Sequence, residues 1–232
     1  MKLPNENLSA PCPLCGTQAA FWQADARRPY LRCPLCELVF VPSPWQLDSA
    51  TEKSEYDKHR NALDDPGYRR FLERPFAALR ERVSPPAEGL DFGCGPGPLL
   101  ARLLEEEGFS IALYDPFYAN APDTLSRRYD FITATEVFEH LREPGRTLQR
   151  LLNCLRPGGW LVVMTKRVRD REAFARWHYT HDPTHVAFFS ETSFTWIAKQ
   201  HNLHLDIVGA DVIALRKAAP DAEKSTTTGC IC

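Results

Sequence analysis

The segment Leu90-Asp91-Phe92-Gly93-Cys94-Gly95-Pro96-Gly97 decides the fold. It predicts a short buried strand, a glycine-rich turn and a helix beginning near Leu99. Glycines at three alternate positions let the backbone turn sharply and approach a ligand, because no Cβ intervenes. The helix expected over Pro98 to Glu107 brings unpaired N–H groups and the positive end of its dipole to that turn. Such a turn at the carboxyl end of a strand is a nucleotide-type site in an α/β sheet. Dinucleotide sites use G-x-G-x-x-G to cradle a pyrophosphate. Here an acid, Asp91, precedes the first glycine. A carboxylate there would repel a pyrophosphate and suits a cationic group instead. The next strand, from Ser110, ends in Asp115, an acid able to accept hydrogen bonds from both hydroxyls of a ribose.

Four features follow in order: the acid-led loop Asp91-x-Gly93-x-Gly95-x-Gly97, the acid Asp115, the strand Tyr129 to Thr135, and Leu155-Arg156-Pro157-Gly158-Gly159-Trp160-Leu161-Val162-Val163. Together, over Glu88 to Lys217, they resemble the class I S-adenosylmethionine (SAM)-dependent methyltransferases, of the methyltransferase-23 kind. The resemblance implies a Rossmann-like α/β sheet of seven strands, or six, and SAM as cofactor. Its cofactor contacts would be Asp91, Gly93, Cys94, Gly95, Gly97, Asp115, Thr135 and Glu136. By the same resemblance, Tyr56 and Tyr68 are candidates to cover the cofactor. The chain departs from the family between Asp115 and Asp130. Only 14 residues separate them, and Pro116 and Pro122 discourage regular structure. A short or irregular unit is expected there, with Asp123 the one acid able to reach an adenine.

Ahead of this region stand two near-identical knuckles, Cys12-Pro13-Leu14-Cys15 and Cys33-Pro34-Leu35-Cys36, separated by 17 residues. Paired C-x-x-C turns at this spacing predict a four-thiolate structural zinc ribbon. Ala19 to Trp22 and Tyr30 to Arg32 would pair as strands, and Leu38 to Val41 would extend the sheet. So small a unit has little apolar core and is expected to depend on its metal. The expected division is a ribbon over 1–45, a linker and helical lid over 46–86, the SAM-binding domain over 87–217 and a disordered tail over 218–232. Residues 42–64 read as linker. Asp65-Pro66 opens a helix whose apolar face is Tyr68, Phe71, Leu72, Phe76, Leu79 and Val83, kinked or divided at Pro75.

Beyond the strand ending at Thr135 comes Glu136-Val137-Phe138-Glu139-His140. A helical turn would set Glu136, Glu139 and His140 on one face. Further on, His178, His181, Asp182 and His185 fall within eight residues, followed by Phe188-Phe189 and a helix capped by Ser190. His140, His181 and His185 are the near-neutral bases available beside the cofactor for removing a proton from an acceptor. Glu136, Glu139, His140 and His185 also form a donor set for a divalent cation such as Mg²⁺ or Mn²⁺. This arrangement is similar to ubiquinone-biosynthesis O-methyltransferases and to small-RNA terminal-ribose methyltransferases. By position, His185 is the first choice for fourth ligand and His181 the second.

The chain of 232 residues has room for one α/β domain and a small appendage. Its net charge is −2, with no long basic run, which speaks against a nucleic-acid substrate. No apolar stretch approaches about 20 residues, so no membrane span is expected. Met1 to Pro11 lacks the apolar core of a signal peptide, so a cytoplasmic setting with reduced or metal-bound cysteines is expected. Three functions follow. The first is methyl transfer to a small-molecule acceptor, at a hydroxyl. The second is RNA methylation with the ribbon as grip, for which Arg27, Arg28 and Arg32, set against Asp25 and Glu37, make too thin a positive patch to support strong backbone binding. The third is a ribbon module on a non-catalytic scaffold, which the intact glycine loop and Asp115 oppose.

Overall fold

The structure is a computed structural model and describes residues 7–58 and 64–219. The expected disordered tail falls almost wholly outside the described residues. In chain order the elements are β1 (Ser9–Pro11), β2 (Gln18–Ala24), β3 (Pro29–Arg32), β4 (Val39–Phe40), α1 (Ser49–Tyr56), α2 (Pro66–Arg80), β5 (Glu88–Phe92), α3 (Leu99–Glu106), β6 (Ser110–Tyr114), β7 (Tyr129–Thr135), α4 (Pro144–Cys154), β8 (Leu155–Met164), α5 (Arg171–Ala175), β9 (Ala187–Phe188), α6 (Glu191–His201), β10 (Leu203–Val208) and β11 (Val212–Lys217).

The large sheet has, among the described residues, six strands in the order β10-β11-β8-β7-β5-β6. Strands β6, β5, β7 and β8 are parallel, and β11 and β10 close one edge antiparallel. The chain leaves β5 toward β6 and then returns to β7 on β5's other side. That reversal opens a crevice at the carboxyl ends of β5 and β7. Past β6 there is no further strand in the described residues. The proline-broken segment forms only a 3-10 turn at Pro122–Ser126 and one isolated bridge, Asp115 to Ala119. The short connection therefore decides between the two expected strand counts.

Two apolar layers cover the sheet. One contains Leu72, Phe76 and Leu79 of α2 with Leu99, Leu100, Leu103 and Leu104 of α3. The other joins Phe138, Leu148, Leu151, Phe189 and Phe194 to Cys12, Leu14, Cys33 and Cys36. The cysteine unit thus shares the core of the larger domain. It also shares a sheet: β1-β2-β3-β4 is extended by β9, which comes from the histidine-rich segment.

Two local expectations are corrected. Residues 49–56 are helical, because Asp48 caps α1 by accepting from the N–H of Ala50 and Thr51. The polar sequence reflects a helix with no buried residue. Pro75 does not divide α2, which runs unbroken over 15 residues. Proline offers no N–H to the Phe71 carbonyl, and the Arg74 Nε donates to it instead, at 3.4 Å. The helix starts as expected, with the Asp65 carboxylate capping Gly67 and Tyr68. Ser190 and Ser193 form a reciprocal capping box at the start of α6.

Candidate functional site

The glycine loop after β5 divides its work. Gly93 (φ 75°) is packed: a Cβ there would lie 2.4 Å from Val137. Gly95 (φ 62°) has nothing within 4 Å of a Cβ position, so the loop presents bare backbone to the crevice. Asp115, at the end of β6, is buried and reaches back to the loop. Its carboxylate accepts from the N–H of Gly95 at 3.1 Å, Phe117 at 2.8 Å and Tyr118 at 3.1 Å. Asp91 sits beneath the loop, accepting from the Thr133 hydroxyl at 2.7 Å. Burial pushes its pKa up to about 6, with the charge of Asp115 adding to the shift.

A cavity of about 830 Å³ opens above this loop, toward the upper end of small-molecule sites. Tyr56 from α1, Tyr68 and Phe71 from α2, and Phe117 form much of its apolar wall. Beside the loop, where Gly93 packs on Val137, the chain makes a tight structure after β7. Glu136 takes φ 51°, the left-handed region, with its N–H donated to the Met164 carbonyl at 2.8 Å. A 3-10 turn over Phe138–His140 follows. Its partner is the segment after α5, where a second 3-10 turn spans His178–His181. Ligand-capable atoms of Glu139, His140 and His185 all lie within 4.8 Å of one another. His140 and His185 face the cavity, and Glu139 is fully buried behind them.

The hydrogen bonds orient these rings. The backbone carbonyl of Tyr179 can only accept, so His185 carries its proton on Nδ1, 2.7 Å away. The same logic gives His140 an Nδ1 proton facing the Thr184 carbonyl at 3.3 Å. In the neutral rings the lone pairs then fall on Nε2. Asp182 Oδ2 lies 3.7 Å from His185 Nε2. Burial pushes Asp182 up, but the Thr184 donors and the charges of His185 and His140 outweigh it and keep the carboxyl below its ordinary range. The Tyr179 hydroxyl donates to Glu139 and lies 3.4 Å from Glu136. Burial pushes Glu136 up to about 7 and Glu139 up to about 8, the latter reinforced by the charge of Glu136. Among the described residues, Glu136 Oε1 and Glu139 Oε2 are both buried without a hydrogen-bond partner.

A family model, Methyltransf_23, described as a methyltransferase domain, matches residues 68–206, more than half of the chain. The chain belongs to this methyltransferase family. It is therefore a SAM-dependent methyltransferase. Among solved structures, it is similar to the 1,6-didemethyltoxoflavin-N1-methyltransferase of Burkholderia thailandensis, solved with its substrate and S-adenosylhomocysteine (SAH). That match has a TM-score of 0.55 and 17% identity, covering 85% of this chain and 99% of that one. It is also similar to an O-methyltransferase family protein of Burkholderia thailandensis, with a TM-score of 0.50 and 12% identity, covering 77% and 63%. At such identities the likeness is one of fold. Comparison by sequence with curated proteins gave no match.

Within this methyltransferase, Gly93, Cys94, Gly95, Asp115, Thr135 and Glu136 line the cavity, while Asp91 and Gly97 are buried and not among its lining residues. Tyr56 and Tyr68 both line it; Asp123 is exposed and outside it. Glu139, His140 and His185 converge, but Glu136 falls outside that group and is linked to Glu139 through the Tyr179 hydroxyl. Its left-handed backbone replaces the expected helical turn. His181 is exposed, outside the lining residues, with its carbonyl taken by Arg27. Tyr179, which ties both glutamates together, gave no signal in the sequence beyond its place between histidines.

At the knuckles, Cys12 and Cys36 bring their sulfurs to 3.5 Å, and Cys15 and Cys33 theirs to 3.4 Å. Four sulfurs held tetrahedrally at the usual Zn–S length of about 2.3 Å would lie about 3.8 Å apart, so the cluster is compatible with a zinc site.

Proposed function

We propose that this methyltransferase binds SAM over Gly93, Cys94, Gly95 and Asp115, with Asp91 supplying charge from beneath. Its acceptor is a small molecule, methylated at a hydroxyl. The observation that carries the reading is the meeting of Glu139, His140 and His185 at the wall of the same cavity that the glycine loop lines. SAM supplies an electrophilic methyl group on a sulfonium. The remaining task falls to the protein: hold a hydroxyl and take its proton. His185 is suited to it. The Tyr179 carbonyl fixes its tautomer, and Asp182 would stabilise the imidazolium once the proton is taken.

Two forms of this reading differ in the role of Glu139. The unpartnered Glu139 Oε2 and the two imidazoles suit a divalent cation such as Mg²⁺ or Mn²⁺. A cation held there would lower the pKa of a coordinated hydroxyl. Otherwise His185 acts alone as general base, and Glu139 stays protonated by burial.

The RNA reading has less to rest on. Arg28 is buried, Arg27 is turned onto backbone carbonyls, and Arg32 pairs with Glu37 at 2.8 Å. No described helix is long and apolar enough to cross a membrane. We assign the four cysteines a structural zinc and keep the division into 1–45, 46–86 and 87–217 as the working description.

Purified protein, methyl-labelled SAM and cell extract test the function. Label should enter the small-molecule fraction; label confined to RNA, or none transferred, would sink the reading. Mild chelation then separates its two forms. With a cation, turnover stops while SAM binding persists, and Mg²⁺ or Mn²⁺ restores it. With a histidine base alone, chelation does nothing and the rate falls toward acid pH, where protonation removes the lone pair of the base.

A further inference from the structure

The cysteine unit meets both segments that build the acceptor side of the cavity. Its β2–β3 turn carries Arg27 and Arg28 (Asp25 caps this turn by accepting from both their N–H groups). Arg28 is only 4% exposed. Its guanidinium donates to the carbonyls of Thr180 at 3.0 Å, Asp182 at 2.9 Å and Pro183 at 2.9 Å. Arg27 donates to the carbonyls of Thr180 and His181, each at 2.8 Å. Every carbonyl from Thr180 to Pro183 is thus held by one of two arginines. Just beyond, β4 pairs with β9, and Val41 N–H donates to the Val186 carbonyl at 2.9 Å. This captured loop bears Tyr179, Asp182 and His185.

The first knuckle grips the other segment. Gly145 N–H, at the start of α4, donates to the Pro13 carbonyl at 3.2 Å. The approach is so close that a Cβ on Gly145 would lie 2.5 Å from the Leu14 carbonyl oxygen. Five residues earlier lies His140. Between the two gripped segments, Val186 N–H donates to the Glu139 carbonyl at 2.7 Å.

We infer that the cysteine unit is a brace for the acceptor side of the site, and that Arg28 is a positioning residue acting through the Thr180–Pro183 carbonyls on His185 and Glu139. The Arg28 guanidinium spends its donors on these carbonyls and the Tyr30 hydroxyl, while the Asp182 carboxylate of the same loop is engaged by Thr184. Its role is geometric, since five rigid donors in one plane fix several carbonyls at once. The inference rests on the reading that this wall receives the acceptor. The loop meets the braced wall where Gly93 packs on Val137, but Asp115 and Gly95 bond to each other and not to the cysteine unit, so cofactor binding should change little when the brace is loosened.

Hydrogen exchange on the full chain tests this without any acceptor, with SAH titration as control. In Arg28→Gln, amides over 178–188 should exchange about tenfold faster or more, and so should 137–145, which Arg28 does not touch. SAH affinity and cysteine-bound metal should stay as in wild type. Arg28→Lys should restore part of the protection. Gly145→Ala, acting from the other end, should loosen 178–188. Should Arg28→Gln fail to fold, Arg27→Ala should show the same pattern at smaller amplitude. A change confined to 178–183, no change, or faster exchange spread through β5 and α3 would overturn the inference. With labelled SAM and extract, Arg28→Gln should lower kcat more than it raises KM. If wild-type protein transfers no label, the functional reading fails, while the exchange pattern still decides the brace.

Discussion

The side of the cavity proposed to hold the cofactor and the side proposed to hold the acceptor are put together from different distances along the chain. On the cofactor side, Asp115 bonds to Gly95 across 20 residues, within one strand–helix–strand unit. On the acceptor side, Tyr179 bonds to Glu139 across 40 residues, and Arg28 bonds to the Asp182 carbonyl across 154. The first side uses backbone N–H groups and one carboxylate. The second uses side chains whose orientation depends on a separate small sheet. A local unit can keep a cofactor site while the other wall and its brace vary, which is how one fold can serve many acceptors.

The largest effect should come from breaking the brace at its root. Structural zinc sites contribute on the order of 10 kcal/mol of binding free energy, which becomes folding free energy. Cys12→Ser with Cys33→Ser should abolish tightly held metal and remove most of the cooperative unfolding transition. Elemental analysis and thermal unfolding check this. Full metal content and unchanged stability in that variant would mean the cysteines hold no zinc.

The next effect belongs to the cofactor side and depends on pH. Asp91 has an ordinary pKa of 3.8, raised in the fold to about 6 chiefly by burial. The folded state therefore holds more protons than the unfolded chain between those values, and wild-type stability falls as pH rises through that window. Below it the group contributes nothing; above it the penalty is complete. Asp91→Asn keeps the Thr133 contact and removes the buried charge. Without SAM, it should be more stable than wild type at pH 7 by up to about 3 kcal/mol, about 1.4 per pKa unit, with the gap closing near pH 4. The same variant should bind SAM more weakly. Denaturant unfolding at the two pH values is the check, and a gap independent of pH would place the destabilisation elsewhere.

The contrast also explains what could be read from the chain. Each knuckle and the glycine loop is a contiguous stretch in which residue type follows local need: paired cysteines at a spacing compatible with one ion, and glycine for positive φ at Gly93 and Gly95. Helix starts at Asp65 and Ser190 were legible for the same reason. Arg27 and Arg28 looked like a thin surface patch, because nothing near them in sequence shows the carbonyls they meet. The left-handed conformation of Glu136 goes with a bond to Met164 on the neighbouring strand, a partner distant in sequence, so the expected helical turn missed it. Helix α1 was hidden because its polar surface has no buried stripe to betray it.

The most direct test of the two-sided account is calorimetric titration with SAH of wild type, Asp115→Ala and His185→Asn. Asp115→Ala should weaken binding by about 1.5–3 kcal/mol, the scale of hydrogen bonds to a charged group. His185→Asn, on the far wall, should stay within about 0.5 kcal/mol of wild type, as sites that share no partner do. Wild-type affinity in Asp115→Ala, or a comparable loss in His185→Asn, would contradict the separation of cofactor side from acceptor side.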